Sequence, residues 1–146
     1  KHKLGIFGDE KKDHSLIQDL LSWMKNNNVD YTNTFCYLMK QRIDNFKIYE
    51  NSDFVNWEKD WESRLKRSQK SKDEIINMMK SVNPLIIPRN HKVEEILRDA
   101  EIKNDYSSLK ILLKFIKYPY SFQEGINAFQ APSSVSYKEY KTFCGT

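Results

Sequence analysis

The sequence predicts an all-α fold: about six helices in an orthogonal or irregular bundle, followed by a long, mostly irregular C-terminal tail. Apolar residues recur at spacings of three and four along most of the chain, the period of a helix with one buried face. Only 4 Gly and 4 Pro occur in 146 residues, so the chain has few of the turn signals that a many-stranded β fold needs. The 39% hydrophobic and 30% charged residues fit one small helical domain with a thin core.

The first two helices are predicted from their start signals. Asp13 is a typical cap for a helix over residues 13–26, and Asp30 is a typical cap for a helix over residues 30–42. The apolar positions of the two helices are Leu16, Ile17, Leu20, Leu21 and Met24, then Tyr31, Phe35, Leu38 and Met39.

The third helix is predicted to begin at Ser52 or Asp53. Trp57 and Trp61 share its apolar face, because they are four residues apart. We expect its opposite face to be charged and solvated, through Glu58, Lys59, Asp60, Glu62, Arg64, Lys66 and Arg67.

Three further helices follow. Ser71 and Glu74 form a capping-box pattern at the start of the fourth helix, and Asn83-Pro84 ends it. Residues 85–88 are predicted to be a buried extended link. Asn90 and Asp105 are the expected caps of the fifth and sixth helices, and Pro119 ends the sixth. Their predicted inward residues are Val93, Ile96, Leu97 and Ala100, then Leu109, Leu112, Leu113 and Ile116.

The chain is predicted to have three parts. Residues 1–12 are a polar, Lys-rich lead-in, residues 13–118 are the helical domain, and residues 119–146 are the tail. The chain begins with Lys1 rather than Met, so we expect its N-terminus to be a cut or processing boundary that could lack a targeting segment.

No pattern in the sequence indicates catalysis, a cofactor site or a metal site. Phosphate-binding glycine motifs are absent, and His2, His14 and His91 do not have metal-ligand spacing. The two cysteines are 108 positions apart, which indicates reduced thiols, and Cys36 is expected in or near the core. No apolar run is long enough for a membrane span, so we expect a soluble protein.

Two patterns allow binding roles. A basic cluster at residues 66–72, with Trp57 and Trp61 upstream, could be a nucleic-acid patch, but it also fits a helix C-terminus, where cations are favoured. The net charge of +4 is too small to demand nucleic acid. Arg89 at a helix start is unfavourable for the helix dipole and therefore predicts a specific carboxylate or carbonyl partner.

Several blocks, in order, resemble the selenoprotein O family, which consists of protein adenylyltransferases with a pseudokinase fold. The resemblance covers nearly the whole chain and ends on a cysteine third from the terminus. The blocks are Asp30-Tyr31-Thr32-Asn33-Thr34-Phe35, Trp57-x-x-x-Trp61-x-x-Arg64-Leu65, Asn83-Pro84 with Arg89-Asn90, Asp105-Tyr106-Ser107, Tyr118-Pro119-Tyr120 and Cys144.

The resemblance implies a non-catalytic C-terminal region of an enzyme that transfers AMP from ATP to protein hydroxyls. Its ATP and Mg sites would lie in an upstream catalytic domain, from which residues 1–12 would be the lead-in. No catalytic or cofactor-binding residue is therefore assigned here, and whether the chain itself is an enzyme stays open. The expected partners are the upstream kinase-like domain and the protein substrates, with no membrane. The location would be cytoplasmic in bacteria or mitochondrial in eukaryotes.

The resemblance also singles out certain residues. Cys144 matches the family's terminal cysteine or selenocysteine, which implies a redox link to the catalytic part. The matched blocks supply the candidate structural anchors, which are Arg89, Asn90, Asp30, Asn33, Trp57 and Trp61. The alternative hypothesis is a stand-alone helical module that binds protein or nucleic acid.

Overall fold

A computed structural model of the chain describes residues 1–41 and 46–133. These residues contain helices and connecting segments and no β-strand, so the all-α prediction is confirmed. The α-helices are α1 (Asp13–Asn26), α2 (Tyr31–Leu38), α3 (Ser52–Arg67), α4 (Lys72–Val82), α5 (Asn90–Lys103) and α6 (Ser107–Lys117). Short 3-10 helices occur at His2–Leu4, Phe46–Glu50 and Ile126–Phe129.

Two of the predicted helix starts are confirmed in detail. The Asp30 carboxylate accepts a hydrogen bond from the backbone N–H of Asn33 at 2.8 Å, so Asp30 caps α2. Ser71 and Glu74 form a reciprocal capping box at α4, with donor–acceptor distances of 3.2 and 2.9 Å. These side chains satisfy backbone N–H groups that the first turn of a helix cannot pair internally.

Three other caps were predicted at the wrong residue. Asp13 is the first residue of α1 and its carboxylate binds Arg64 instead, as described below. Asn90 is likewise inside its helix, and Arg89, with extended backbone angles, is the cap residue of α5. The Asp105 carboxylate does accept the N–H of Ser107, but Tyr106 occupies the cap position of α6. The second helix ends at Leu38, short of the predicted residue 42.

The first compact unit covers Lys1–Leu85 and contains α1 to α4. Helix α1 packs against α3, and α4 packs against the 3-10 helix at His2–Leu4. An aromatic cluster lies in its core, where Phe54 contacts Trp23, Tyr49 and Trp57 with ring centroids 4.6 to 5.5 Å apart. The residues of the predicted lead-in belong to this core too, because Leu4 and Ile6 are buried. The predicted boundaries at residues 12 and 118 stay predictions.

The second compact unit begins at Ile86 and contains α5 and α6, which pack against each other. Phe115 is buried and makes an edge contact with Phe129, with centroids 5.3 Å apart. The amide group of Gln123 donates to the carbonyl of Phe115 at 3.1 Å and so helps to close the end of α6. Two predicted inward residues are instead half exposed, Leu97 at 50% and Leu113 at 53%.

No helix among residues 1–41 and 46–133 combines the length and the apolar character that crossing a bilayer would require.

Candidate functional site

The most enclosed charged group in the described part of the first unit is an ion pair between Asp13 and Arg64. Arg64 Nε lies 2.6 Å from Asp13 Oδ1, and its Nη2 lies 3.2 Å from Oδ2, so the guanidinium holds both carboxylate oxygens. Nη2 also donates to the carbonyl of Phe7 at 2.8 Å. Both residues are nearly inaccessible, at 2% and 3% exposure. The pair therefore ties the start of α1 and the N-terminal segment to α3.

Further charges surround this pair at its edge. Glu10 lies 3.3 Å from Arg64 Nε and 2.9 Å from Arg67 Nη2, and the Glu10 backbone N–H donates to Asp13 at 3.0 Å. Lys1 Nζ lies 3.2 Å from Asp13 Oδ2 and also binds the Asp9 carboxylate. The hydrogen bond from Arg64 is the main reason that the pKa of Asp13 is held well below its usual range.

This charge cluster has a structural role. Its central atoms are satisfied by one another and by backbone groups, as buried charges must be. Because Arg64 is 3% exposed, its guanidinium is closed to an outside ligand. The arrangement positions helices rather than reacting groups.

Arg64 was wrongly predicted to lie on the charged outer face of α3. It follows Trp57 by seven residues and Trp61 by three, which places it on the same helix face as the tryptophans. That spacing indicated a buried position for Arg64. The residue type favoured the outer face instead, because arginine is seldom buried without a partner.

Trp57 and Trp61 are both buried, with nearly parallel rings 5.9 Å apart. Their indole N–H groups donate to the carbonyls of Leu16 and Leu4, each at 2.8 Å. These contacts tie the two tryptophans to α1 and to the N-terminal segment, and both rings are too buried to stack on a base. Two cations of the nearby basic cluster are also engaged, because Arg67 binds Glu10 and Lys70 binds Glu74.

Asp30 and Asn33 lie together at the start of α2. Besides the cap described above, the Asp30 carbonyl accepts the hydroxyl of Thr34 at 2.8 Å, and Thr34 is 3.3 Å from the Tyr49 hydroxyl. Burial raises the pKa of Tyr49 to about 12. This chain of contacts fixes α2 against the segment before α3.

Arg89 and Asn90 lie in the second unit, where Arg89 is half-buried and Asn90 is exposed. The Arg89 carbonyl accepts the N–H of Val93 at 2.9 Å, the first hydrogen bond of α5. The six predicted anchors thus form three local pairs along the chain.

The structure describes one of the two cysteines. Cys36 is completely buried and its Sγ lies 3.8 Å from the carbonyl of Pro84, which confirms it as a core thiol. Cys144 lies outside the described residues. Within those residues, no group of three or more His, Cys, Asp or Glu side chains is arranged to hold a metal ion.

The sequence model of the family described as protein adenylyltransferase SelO matches residues 1–117. Proteins described as protein nucleotidyltransferase YdiU are similar over the whole chain: that of Bacillus cereus is 44% identical, and those of Bacillus anthracis and Pelagibacter ubique are 43% and 42% identical. In each case the match covers all 146 residues of this chain but 30% of the relative. The chain spans less than a third of the length of these relatives, and it belongs to the SelO protein adenylyltransferase family.

Proposed function

We propose that this chain is a non-catalytic helical region of a longer protein that transfers AMP from ATP to Ser, Thr or Tyr hydroxyls of other proteins. The observation that carries the proposal is how much of each protein the match covers. It covers the whole of this chain but 30% of the length of the nucleotidyltransferase relatives. The described residues contribute buried structural contacts, with Arg64 and both tryptophans enclosed.

In this reaction the acceptor hydroxyl oxygen bonds to the α-phosphorus of ATP, pyrophosphate leaves, and the hydroxyl proton passes to a base or to water. ATP and Mg are assigned to the part of the longer protein that lies outside this chain. The role of this region is to pack on that kinase-like part and hold it in shape.

The test is a transfer assay with ATP labelled on the α-phosphate, Mg and a generic protein acceptor. The longer protein is expected to label the acceptor, and this chain alone is expected to leave it unlabelled. Transfer by this chain alone would remove the non-catalytic assignment. A longer protein that binds ATP and Mg but labels no acceptor would remove the transferase assignment.

Cys144 is proposed as a thiol switch of the longer protein. Its thiolate would attack a small-molecule disulfide such as oxidised glutathione, releasing one thiol, and a second protein thiol would then displace the other. The buried Cys36 is not suited to this role, because attack requires an accessible thiolate. Thiol trapping of the longer protein after treatment with oxidised glutathione should show Cys144 linked to another cysteine, and a Cys144 that stays reduced would contradict the switch.

A further inference from the structure

The N-terminal segment of the first unit lies between α3 and α4. On the α3 side, the indole N–H of Trp61 donates to the carbonyl of Leu4 at 2.8 Å. Nη2 of Arg64 donates to the carbonyl of Phe7, also at 2.8 Å. Leu4 itself is buried. Residues 2–7 are therefore an inner layer of the unit, and we call them the strap.

Helix α4 packs on the other side of the strap. Ile75 and Met79 are the buried residues of α4. Both lie against Gly5, where a Cβ would come 2.5 Å from Ile75 Cγ2 and 3.2 Å from Met79 Cγ. Among the described elements of the first unit, the 3-10 helix at His2–Leu4 is also the main backbone contact of α4. The apolar face of α4 is therefore buried on the strap.

The last turn of α4 is tied to the strap by hydrogen bonds. Lys3 Nζ donates to the carbonyl of Val82 at 2.9 Å and to Asn83 Oδ1 at 3.2 Å. The side-chain amide of Asn83 donates in return to the carbonyl of Lys3 at 2.8 Å. A cation is favoured at this end of a helix, where carbonyl groups lack partners within the helix. These bonds exist only while the strap is in place.

Helices α1 and α3 pack on each other directly instead. The indole N–H of Trp57 in α3 donates to the carbonyl of Leu16 in α1 at 2.8 Å. Trp23 of α1 contacts Phe54 of α3, with ring centroids 4.6 Å apart. All four residues lie outside the strap and outside α4, so departure of the strap leaves these contacts intact.

We propose that the strap is a conformational device whose release lets α4 leave the unit while α1 and α3 stay packed. Parts of a protein open separately when each part keeps its own buried contacts. A displacement of the N-terminal end of the chain therefore reaches α4 through the strap, without unfolding α1 and α3. The inference concerns contacts within this chain and does not rest on the proposed function.

Amide hydrogen exchange of the longer protein, followed by mass spectrometry of its peptides, tests this inference. Two buried tryptophans are a matched pair, because Trp61 donates to the strap and Trp57 donates to α1. Trp61→Phe removes a bond that holds the strap, so we expect the α4 amides to exchange about five- to tenfold faster. Trp57→Phe weakens the α1–α3 pair, which stays packed when the strap opens. We therefore expect faster exchange in α1 and an unchanged rate in α4.

Acceleration of the α4 amides by Trp57→Phe to the same extent as by Trp61→Phe, or more, would show that the unit opens as one and would overturn the inference. An α4 exchange rate that Trp61→Phe leaves unchanged would overturn it as well. Because exchange does not depend on catalysis, either result leaves the proposed function standing.

A second pair of variants keeps the test decisive when Trp61→Phe fails to fold. Lys3→Met removes the hydrogen bond to the carbonyl of Val82, and Lys80→Met removes an exposed charge from the last turn of the same helix. We expect Lys3→Met to speed exchange in α4 severalfold and Lys80→Met to change it little. Equal effects of the two variants would contradict the role of the strap.

Discussion

The carboxylate of Asp13 and the guanidinium of Arg64, 51 residues apart in the chain, form a buried ion pair with Nε and Oδ1 2.6 Å apart. This pair fixes the N-terminal segment and α1 on the tryptophan face of α3. Breaking one half of such a pair leaves the other charge enclosed, which costs far more than loss of a surface ion pair.

Asp13→Asn should therefore destabilise the chain by up to about 3 to 5 kcal/mol, because the buried Arg64 would keep only the partly exposed Glu10 as a counter-charge. The measurement is urea unfolding of the chain followed by circular dichroism. Asp19→Asn is the matched control, since Asp19 is an exposed carboxylate on the same helix. Equal losses in the two variants would contradict the structural role of the pair.

Acid should weaken the same contact. The pKa of Asp13 is lowered in the folded chain, so its contribution to stability is present above the unfolded value, near 3.8, and is lost progressively as the pH falls below that value. Urea midpoints measured from about pH 5 to about pH 2 should fall less steeply for Asp13→Asn than for the unsubstituted chain. Parallel curves would show that this carboxylate does not govern acid unfolding.

Gly5 and Gly8 provide a matched pair of backbone positions. Both have positive φ, 68° and 69°, but a Cβ at Gly5 would lie 2.5 Å from Ile75 Cγ2, whereas none of the neighbouring atoms comes within 4 Å at Gly8. Alanine at either position carries the left-handed backbone cost of about 1 to 2 kcal/mol. Gly5→Ala should lose a further ~1 to 3 kcal/mol through overpacking. Thermal unfolding of the two variants measures the difference, and equal losses would place Gly5 outside the packed core.

Glu74 should titrate at an unusually low pH. The hydrogen bond from Lys70, together with the capping contacts of Ser71, lowers the pKa of Glu74 to about 2. Lys70→Met should raise that pKa toward its ordinary range, and Lys72→Met, a neighbouring exposed lysine, should change it much less. A pH titration of the Glu74 carboxyl carbon by NMR measures the pKa in the unsubstituted chain and in both variants. An ordinary pKa for Glu74 in the unsubstituted chain would contradict the contact with Lys70.

The sequence predicts what depends on near neighbours. The six helices and the caps at Asp30 and Ser71 follow from local spacing and from side chains that reach their own first turn. Asp13 was misassigned because the same residue type can cap a helix or bind a distant arginine, and only the fold brings Arg64 within reach. The burial of Arg64 could have been predicted from its spacing to Trp57 and Trp61.

The exposure of Leu97 and Leu113 could not be predicted in this way. Helical periodicity shows that a side chain lies on an apolar face, but it does not show whether the unit buries that whole face or leaves part of it exposed. For the same reason the sequence alone indicated a core where the structure has an exposed surface.

We propose that this region contributes packing and no nucleotide chemistry. Titration calorimetry of ATP with Mg into this chain and into the longer protein tests this assignment. We predict saturable binding by the longer protein and no binding by this chain at the same concentrations. Saturable binding of ATP with Mg by this chain alone would show that this region does take part in nucleotide chemistry.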